Sequence, residues 1–451
     1  MKIEQFEDKS LSHYSYAILS ECESKVVFID PSRNIDPYLA YAAKHEATII
    51  GVIETHPHAD FVSGHLELHQ TTGAVVYCSK SVDAVYPHQS FDDGDVLTFG
   101  KVRLKAMNTP GHSPDSICIV LEHEVKDHAV FTGDTLFIGD CGRPDLRENA
   151  GNLTAKREEL ASQMYHSLHQ KLMMLDDSVW VYPAHGAGTL CGKALSEANS
   201  STIGAEKISN WSLKDMSEAE FVKTLLEDQP FVPKYFPFDV GLNKKGAAAM
   251  LPSIKKVKIE KSNKQRVDAQ LPEKDVIIID TRPAEEFKRG HLPNSINLMS
   301  NGKFETWLGS IIMPGEAFYL ASENEGQLFE ILIRTAKIGY ETFVKKAFVL
   351  ESGELEPTQL DLEDFRDEPA KYQILDIRNN GEVKEHPAFP FSLHIPLPEL
   401  RERVAEIPTE KPIVVHCAGG YRSAAGSSIL ESRLPENAIV YDLGPAITQF
   451  L

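Results

Sequence analysis

A multidomain α/β protein is the fold class this sequence predicts, on three observations. The chain has 451 residues, which at roughly 150 residues per domain is about three domains. Its first half mixes short β-branched runs with helical patterns, and its second half repeats one strand-led pattern about a small domain apart. In the first half the runs Val26–Ile29, Ala47–Ile53, Val75–Cys78, Val102–Ala106, Ile117–Leu121, Ala129–Phe131 and Val179–Tyr182 read as strands bounded by turn residues. Leu153–Leu175 reads as a helix, because Leu160, Met164, Leu168 and Leu172 recur every four residues and share one face. Together these predict layers around a mixed sheet.

Lys255–Arg266 is basic and polar and reads as a linker. After it, Val276–Asp280 followed by Thr281 and Arg282 resembles Gln373–Asp376 followed by Ile377 and Arg378. Each unit leads to a second apolar patch, Ile296–Leu298 and His394–Leu397, and the acidic stretch Glu351–Glu368 lies between them. The expected domains are therefore 1–254, 265–352 and 365–451.

Composition removes several function classes. With 46 Lys and Arg against 66 Asp and Glu, the formal charge is −20, which repels phosphate backbones and argues against a nucleic-acid partner. No uncharged apolar run reaches the roughly 20 residues of a membrane span. Cys22, Cys78, Cys118, Cys141, Cys191 and Cys417 form no CxxC pair, so neither a disulfide framework nor a structural zinc site is expected. Met1–Ser10 lacks the marks of a signal or transit peptide, and the expected compartment is the cytoplasm.

The chemistry sits after strand ends. Ala47–Ile53 is followed by Thr55-His56-Pro57-His58-Ala59-Asp60-Phe61, two imidazoles and a carboxylate within five residues. Pro110-Gly111-His112-Ser113, Thr132-Gly133-Asp134-Thr135 and Pro183-Ala184-His185-Gly186 each follow a further strand. A single such His is more often an ordinary surface or core residue, and it is the ordered set that points to a metal centre. His65 and His69, spaced i, i+4, suggest only solvated or capping roles, and His166 and His169 read as ordinary helix-face residues.

The ordered set HxHxD, GH, GD, AHG resembles the metallo-β-lactamase superfamily over about residues 1–250. The resemblance implies an αββα sandwich with the metal at one edge. Dinuclear hydrolases of the superfamily carry HxHxDH, whereas the last position here is Phe61. Losing that nitrogen donor favours one metal, and a two-His, one-carboxylate face suits non-haem Fe(II) and O₂. The combination looks like the persulfide dioxygenases. That resemblance implies one Fe(II) per chain on His56, His112 and Asp134, with His58, Asp60 and His185 orienting the ligands and holding water or substrate. It also covers Cys141-Gly142-Arg143-Pro144-Asp145, where Arg143 is expected to neutralise an anionic thiol substrate or its sulfite product. Beyond His185 the loop Gly186–Gly192 departs from the glutathione-persulfide enzymes and resembles longer dioxygenase–rhodanese fusions. Cys191 in that loop reads either as a sulfur carrier or as a packing thiol.

Near the C-terminus, Pro412–His416 reads as a buried strand running into Cys417-Ala418-Gly419-Gly420-Tyr421-Arg422-Ser423 and a helix. Backbone N–H groups converging there, with Arg422, favour a Cys417 thiolate that acts as nucleophile or carries a persulfide sulfur. Four residues between Cys and Arg resemble rhodanese sulfurtransferases; Cys-based phosphatases have five. The earlier copy runs from Ala317–Leu320 into Ala321-Ser322-Glu323-Asn324-Glu325 and holds no Cys, so it is expected to lack sulfur transfer and to act as a spacer or docking surface. The functional expectation is a persulfide dioxygenase joined to a silent and then an active rhodanese domain, serving sulfide detoxification. Its partners would be a low-molecular-weight thiol persulfide, O₂, and sulfite or thiosulfate, in a homo-oligomer (dimer or tetramer). The rivals are a zinc thioester hydrolase of the glyoxalase II type and a non-enzymatic sulfane-sulfur carrier or sensor.

Overall fold

The first twelve strands build two sheets whose facing sides make the core. They are β1 (Lys2–Asp8), β2 (His13–Ser20), β3 (Lys25–Ile29), β4 (Thr48–Ile53), β5 (Val75–Cys78) and β6 (Gln89–Ser90), then β7 (Val96–Phe99), β8 (Val102–Asn108), β9 (Ile117–His123), β10 (Lys126–Gly133), β11 (Trp180–Pro183) and β12 (Ser201–Thr202). One sheet runs β1-β2-β3-β4-β5-β6 and the other β12-β11-β10-β9-β8-β7. The computed structural model describes residues 1–147, 156–193, 195–260, 273 and 275–450.

The two-residue period of the strands sorts their side chains. Tyr16, Ile18, Val27, Ile29 and Ile53 meet Leu104, Ala106, Ile119, Leu121 and Phe131 between the sheets. The alternate residues Ala17, Leu19, Val26, Phe28 and Val52 pack under helix Asp36–Lys44 through Tyr38 and Tyr41. On the far side Val120, Val130 and Val181 pack against Ala161, Met164 and Leu168 of helix Arg157–Gln170, and against Phe221 and Leu225 of helix Glu218–Leu226. The result is the expected αββα sandwich. The helix predicted over 153–175 is shorter: it stops at Gln170, and Leu172–Met174 is a separate 3₁₀ turn. Residues 153–155 of that prediction lie outside the described residues.

Strand direction positions the site. β3, β4 and β5 are mutually parallel, and β10 is parallel to β11. β8 and β10 each run antiparallel to β9 and so share one direction. The residues that follow β3, β4, β8, β10 and β11 gather at one edge of the sandwich.

Beyond it, β13 (Ile259–Glu260), β14 (Ile277–Asp280), β15 (Ser295–Asn297), β16 (Phe318–Ser322) and β17 (Val344–Val349) form an all-parallel sheet ordered β13-β17-β16-β14-β15. β18 (Gln373–Asp376), β19 (Leu393–His394), β20 (Ile413–His416) and β21 (Val440–Asp442) form a second, ordered β19-β18-β20-β21. Setting β13 aside, the two orders correspond strand for strand, which gives the internal repeat a physical form. Arg282 folds back on Asp280 through Nε–Oδ1 (3.0 Å) and Nη2–Oδ2 (2.6 Å), and Arg378 makes the same two bonds to Asp376 at the same lengths. The linker reading needs correction, because Ile259 and Glu260 pair with Ala347 and Phe348 as an edge strand of the first repeat. Its residues 261–266 lie outside the described residues.

By packing, the chain divides into two units, Met1–Pro252 with Ala336–Gly339, and Ser253–Thr335 with Tyr340–Leu451. Among the described residues no helix is long and apolar enough to cross a membrane.

Candidate active sites

His56, His112 and Asp134 each bring one ligand atom within 4.8 Å of the other two, and all three are buried. Their neighbours fix which nitrogen faces inward. His112 Nδ1 lies 2.9 Å from the Arg143 carbonyl and His185 Nδ1 lies 3.1 Å from the Ser12 carbonyl; a carbonyl only accepts, so both Nδ1 atoms donate. Thr55 Oγ1 donates to Asp30 Oδ2 (2.8 Å) and so accepts from His56 Nδ1 (3.1 Å). In the neutral rings each Nε2 then turns a lone pair toward Asp134, at 3.9 Å for His56, 3.5 Å for His112 and 3.5 Å for His185. Lone pairs facing a carboxylate in a dry pocket repel unless a cation stands among them, so these residues fit a metal ion. Gly142 allows the close fit, since a Cβ there would lie 1.9 Å from the Asp134 carbonyl oxygen and 3.0 Å from His112 Nδ1.

The other strand-end residues line the same hollow. His58 Nε2 is 3.2 Å from Asp30 Oδ1. Burial opposes its charge, but Asp30 lifts its pKa to about 9. His185 Nε2 is 3.4 Å from Asp60 Oδ2, and burial pushes the Asp60 carboxyl up. Phe61 is 1% exposed, with its ring centred 4.3 Å from that of His58 and 3.9 Å from that of His13. An apolar ring thus lies where the dinuclear pattern puts a nitrogen donor.

In the second unit, β20 delivers Cys417 to a loop that enters helix Tyr421–Arg433. The Gly420 N–H donates to Cys417 Sγ (3.1 Å), and Ser423 Oγ donates to the Gly420 carbonyl (3.1 Å). Gly420 has φ +99° and its Cβ would lie 2.9 Å from Pro445 N, so glycine is required there. Ala418 and Gly419 are exposed at the mouth. Ala418 borders a cavity of about 590 Å³ shared with Arg378, Glu382, Glu385, His386, Pro387 and Phe450. The Arg422 guanidinium grips Glu382 with two bonds, Nη1–Oε2 2.5 Å and Nη2–Oε1 2.6 Å.

Comparison with known proteins assigns the domains that carry the two sites to families. Residues 12–185 match the metallo-beta-lactamase superfamily, and residues 263–352 and 359–445 match the rhodanese-like domain. The chain joins a metallo-β-lactamase-superfamily domain to two rhodanese-like domains. Similar proteins include the mitochondrial persulfide dioxygenase ETHE1 of Bos taurus, 28% identical over 242 residues, which is 53% of this chain and 86% of that protein. The cytoplasmic hydroxyacylglutathione hydrolase of Arabidopsis thaliana is 34% identical over 178 residues, 38% of this chain and 63% of that protein. Among solved structures, a metallo-beta-lactamase from Staphylococcus aureus subsp. aureus COL has a TM-score of 0.67 at 28% identity, covering 77% of this chain and 98% of that one. By name, the relatives of the first domain include both a dioxygenase and a hydrolase.

Within the metallo-β-lactamase domain, Arg143 departs from expectation. It is 1% exposed and its guanidinium is committed, through Nε–Oδ1 (2.7 Å) and Nη2–Oδ2 (2.6 Å), to Asp145, with Nη1 donating to the Leu190 carbonyl (3.2 Å). It clamps the loop whose carbonyl orients His112, and it has no charge to spare for a substrate. Arg143→Met therefore lowers stability by about 3 kcal/mol, the low end for breaking a buried pair, read as a lower urea midpoint. Cys191, by contrast, does reach the hollow, with one ligand atom in common range with Asp60 and His185. Burial, then Asp60 and Asp134, push its thiol well above the usual range.

Sequence reasoning missed His13, Asp30 and Glu54. Asp30 follows β3 as the named ligands follow their strands, a signal that was available. His13 has none, since its place comes from Tyr14 N donating to the Ala184 carbonyl (2.7 Å) across the chain. His65 is not solvated: it is buried on Tyr86, ring centres 4.5 Å apart, and burial drops its pKa to about 3.

The rhodanese-like domain without a Cys supports the other. Tyr421 Oη donates to the Met299 carbonyl (2.9 Å), and the Arg422 guanidinium sits 5.6 Å from the Trp307 ring centre. In the copy without a Cys the corresponding loop closes on itself, with Asn324 Oδ1 accepting from Gln327 N (3.0 Å) and Gln327 Nε2 donating to Glu323 (2.6 Å). Trp307→Ala removes a cation–π contact of about 1 kcal/mol. The expected result is an about fivefold fall in any sulfur transfer that Cys417 supports, with any activity of the first domain unchanged, as parallel assays on one preparation would read.

Proposed function

We propose that the metallo-β-lactamase domain is an Fe(II)-dependent persulfide dioxygenase and that the last rhodanese domain is a sulfurtransferase acting through Cys417. The observation that carries the reading is Phe61, whose buried ring stands where a second hydrolytic zinc would need a nitrogen ligand, beside an intact His56, His112 and Asp134 trio. Fe(II), when bound, supplies the activation of O₂. One persulfide, one O₂ and one water give one thiol, one sulfite and two protons. The four electrons that O₂ takes come from the two sulfurs, whose bond breaks.

The protein's part is orientation and exclusion of water. Thr55, the Arg143 carbonyl and the Ser12 carbonyl hold the three imidazoles with Nε2 inward. Phe61 and the burial of the ligands keep the hollow dry, and the His58–Asp30 pair lines it, 3.2 Å apart. At the second site the Cys417 sulfur attacks a sulfane sulfur, breaking its bond to the donor and keeping it as a persulfide, which a second nucleophile then removes. With thiosulfate as donor the released group is sulfite; in reverse, sulfite takes the sulfur and leaves as thiosulfate. A place in sulfide detoxification follows from these substrates.

The test is oxygen consumption by anaerobically purified protein with several thiol persulfides, scoring iron, sulfite and thiosulfate. Persulfide-dependent O₂ uptake with one iron per chain is the expected result. Two zinc ions per chain with thioester turnover and no O₂ uptake would overturn it in favour of a glyoxalase II-type hydrolase.

A further inference from the structure

We propose that a cavity between the two rhodanese-like domains binds a small organic amine, an ammonium group on an apolar body. The cavity holds about 390 Å³ and lies wholly within the second packing unit, a size usual for small-molecule sites. On one side stand helix Ala284–Arg289 and Asn297 at the end of β15. On the other, Ala424, Ser427 and Glu431 of helix Tyr421–Arg433 are spaced i, i+3 and i+7 and so present one face. The stretch between the domains adds Leu360 and Leu362. Among the described residues none from Cys417 to Ser423 lines the cavity, so it is separate from the sulfur-transfer loop, although the helix that leaves that loop is one of its walls.

The polar groups left over on the wall are acceptors. Asn297 is 1% exposed; its Nδ2 donates to the Asp280 and Arg282 carbonyls (3.2 and 3.0 Å), and its Oδ1 has no hydrogen-bond partner among the described residues. A buried amide oxygen without a donor costs free energy that a ligand N–H recovers. Glu431 is similarly placed. Burial lowers the pKa of its neighbour His291, so that ring is neutral. Its Nδ1 donates to the Phe287 carbonyl (3.3 Å), and Nε2 therefore turns a lone pair, not a proton, toward Glu431 Oε2 at 3.6 Å. The cations of the wall are already matched, Lys288 Nζ with Asp442 Oδ2 at 3.0 Å and Arg289 Nη1 with Glu286 Oε1 at 2.5 Å. That leaves the excess charge negative, from Glu285 and Glu431. An anion would have to break one of those pairs, whereas an ammonium brings only donors, which is what the leftover acceptors lack. Phe287, Leu360, Leu362 and Leu443 give its carbon body an apolar surface.

The experiment titrates the full-length protein with phenethylamine in a calorimeter, and with hydrocinnamate, of nearly the same size and opposite charge, as the comparison. The expected result is saturable binding of one amine per chain and none of the carboxylate. Glu431→Gln, at a partly exposed position, should weaken the amine by at least about tenfold, the low end for losing a hydrogen bond to a charged group. Crystals of the unmutated protein soaked with para-bromophenethylamine make the same test without a variant, because the anomalous signal of bromine should fall beside Phe287 and Leu443. No amine binding, carboxylate bound as tightly as amine, unchanged affinity in Glu431→Gln, or bromine found only elsewhere would each overturn the proposal.

Discussion

His112→Ala abolishes persulfide-dependent O₂ uptake, by about 10³-fold or more, while sulfur transfer at Cys417 continues. The imidazole is one of two nitrogens in the trio, and its Nδ1 bond to the Arg143 carbonyl fixes its aim. Without it Asp134 keeps one imidazole of the trio, and the Lewis-acid contribution of a bound metal, several kcal/mol, goes with the metal; at 1.36 kcal/mol per decade that is the stated loss. Iron content, measured on the same sample, should fall with it. Cys417 lies in the other packing unit, so a thiosulfate-dependent assay shows that the loss is confined to the first, and a circular-dichroism melt of the variant shows whether that unit stays folded. A carrier or sensor whose metal is only structural predicts the reverse, function retained in this variant.

Cys417→Ser gives the complementary result. Sulfur transfer falls by about 10³-fold or more, as when a covalent nucleophile is removed, and O₂ uptake with persulfide persists. A serine keeps the volume and the Gly420 N–H contact but cannot hold a sulfane sulfur. Mass spectrometry of the peptide spanning residue 417 after anaerobic treatment with persulfide should show one added sulfur in the unmutated protein and none in the variant. Product analysis then sets the direction of the step: if the site makes thiosulfate, the variant accumulates sulfite in its place.

The two sites were legible in the sequence to different depths for physical reasons. A ligand that follows a β-branched run carries a local signature, which is why His56, His112, Asp134 and His185 could be named together and meet in space. The strand–Cys–small-residue loop around Cys417 is equally local, and the Asp-x-Arg repeat marks two forks of matching geometry. β1 and β2 were not legible. Lys2–Asp8 is an edge strand with no fully buried residue, whose two apolar side chains Ile3 and Phe6 are three apart and so out of step with a two-residue period, and His13–Ser20 is buried along its whole length, so neither shows a sustained alternation. His13 went unseen with them. Arg143 was misjudged because charge was read without its partner; Asp145 two residues on has the spacing of Asp280 and Arg282, and the same fork results.

Tyr421 and Arg422 lean on Met299 and Trp307, which belong to the copy that has no cysteine. Parts of a protein can be counted by fold or by what can be moved, and here the counts differ. A gene fragment starting after residue 352 would carry Cys417 into a new host protein without the carbonyl that anchors one side chain of its loop or the indole that faces the next. The transplantable part is the rhodanese-like pair, and a designer borrowing the Cys417 loop has to borrow its cysteine-free neighbour as well.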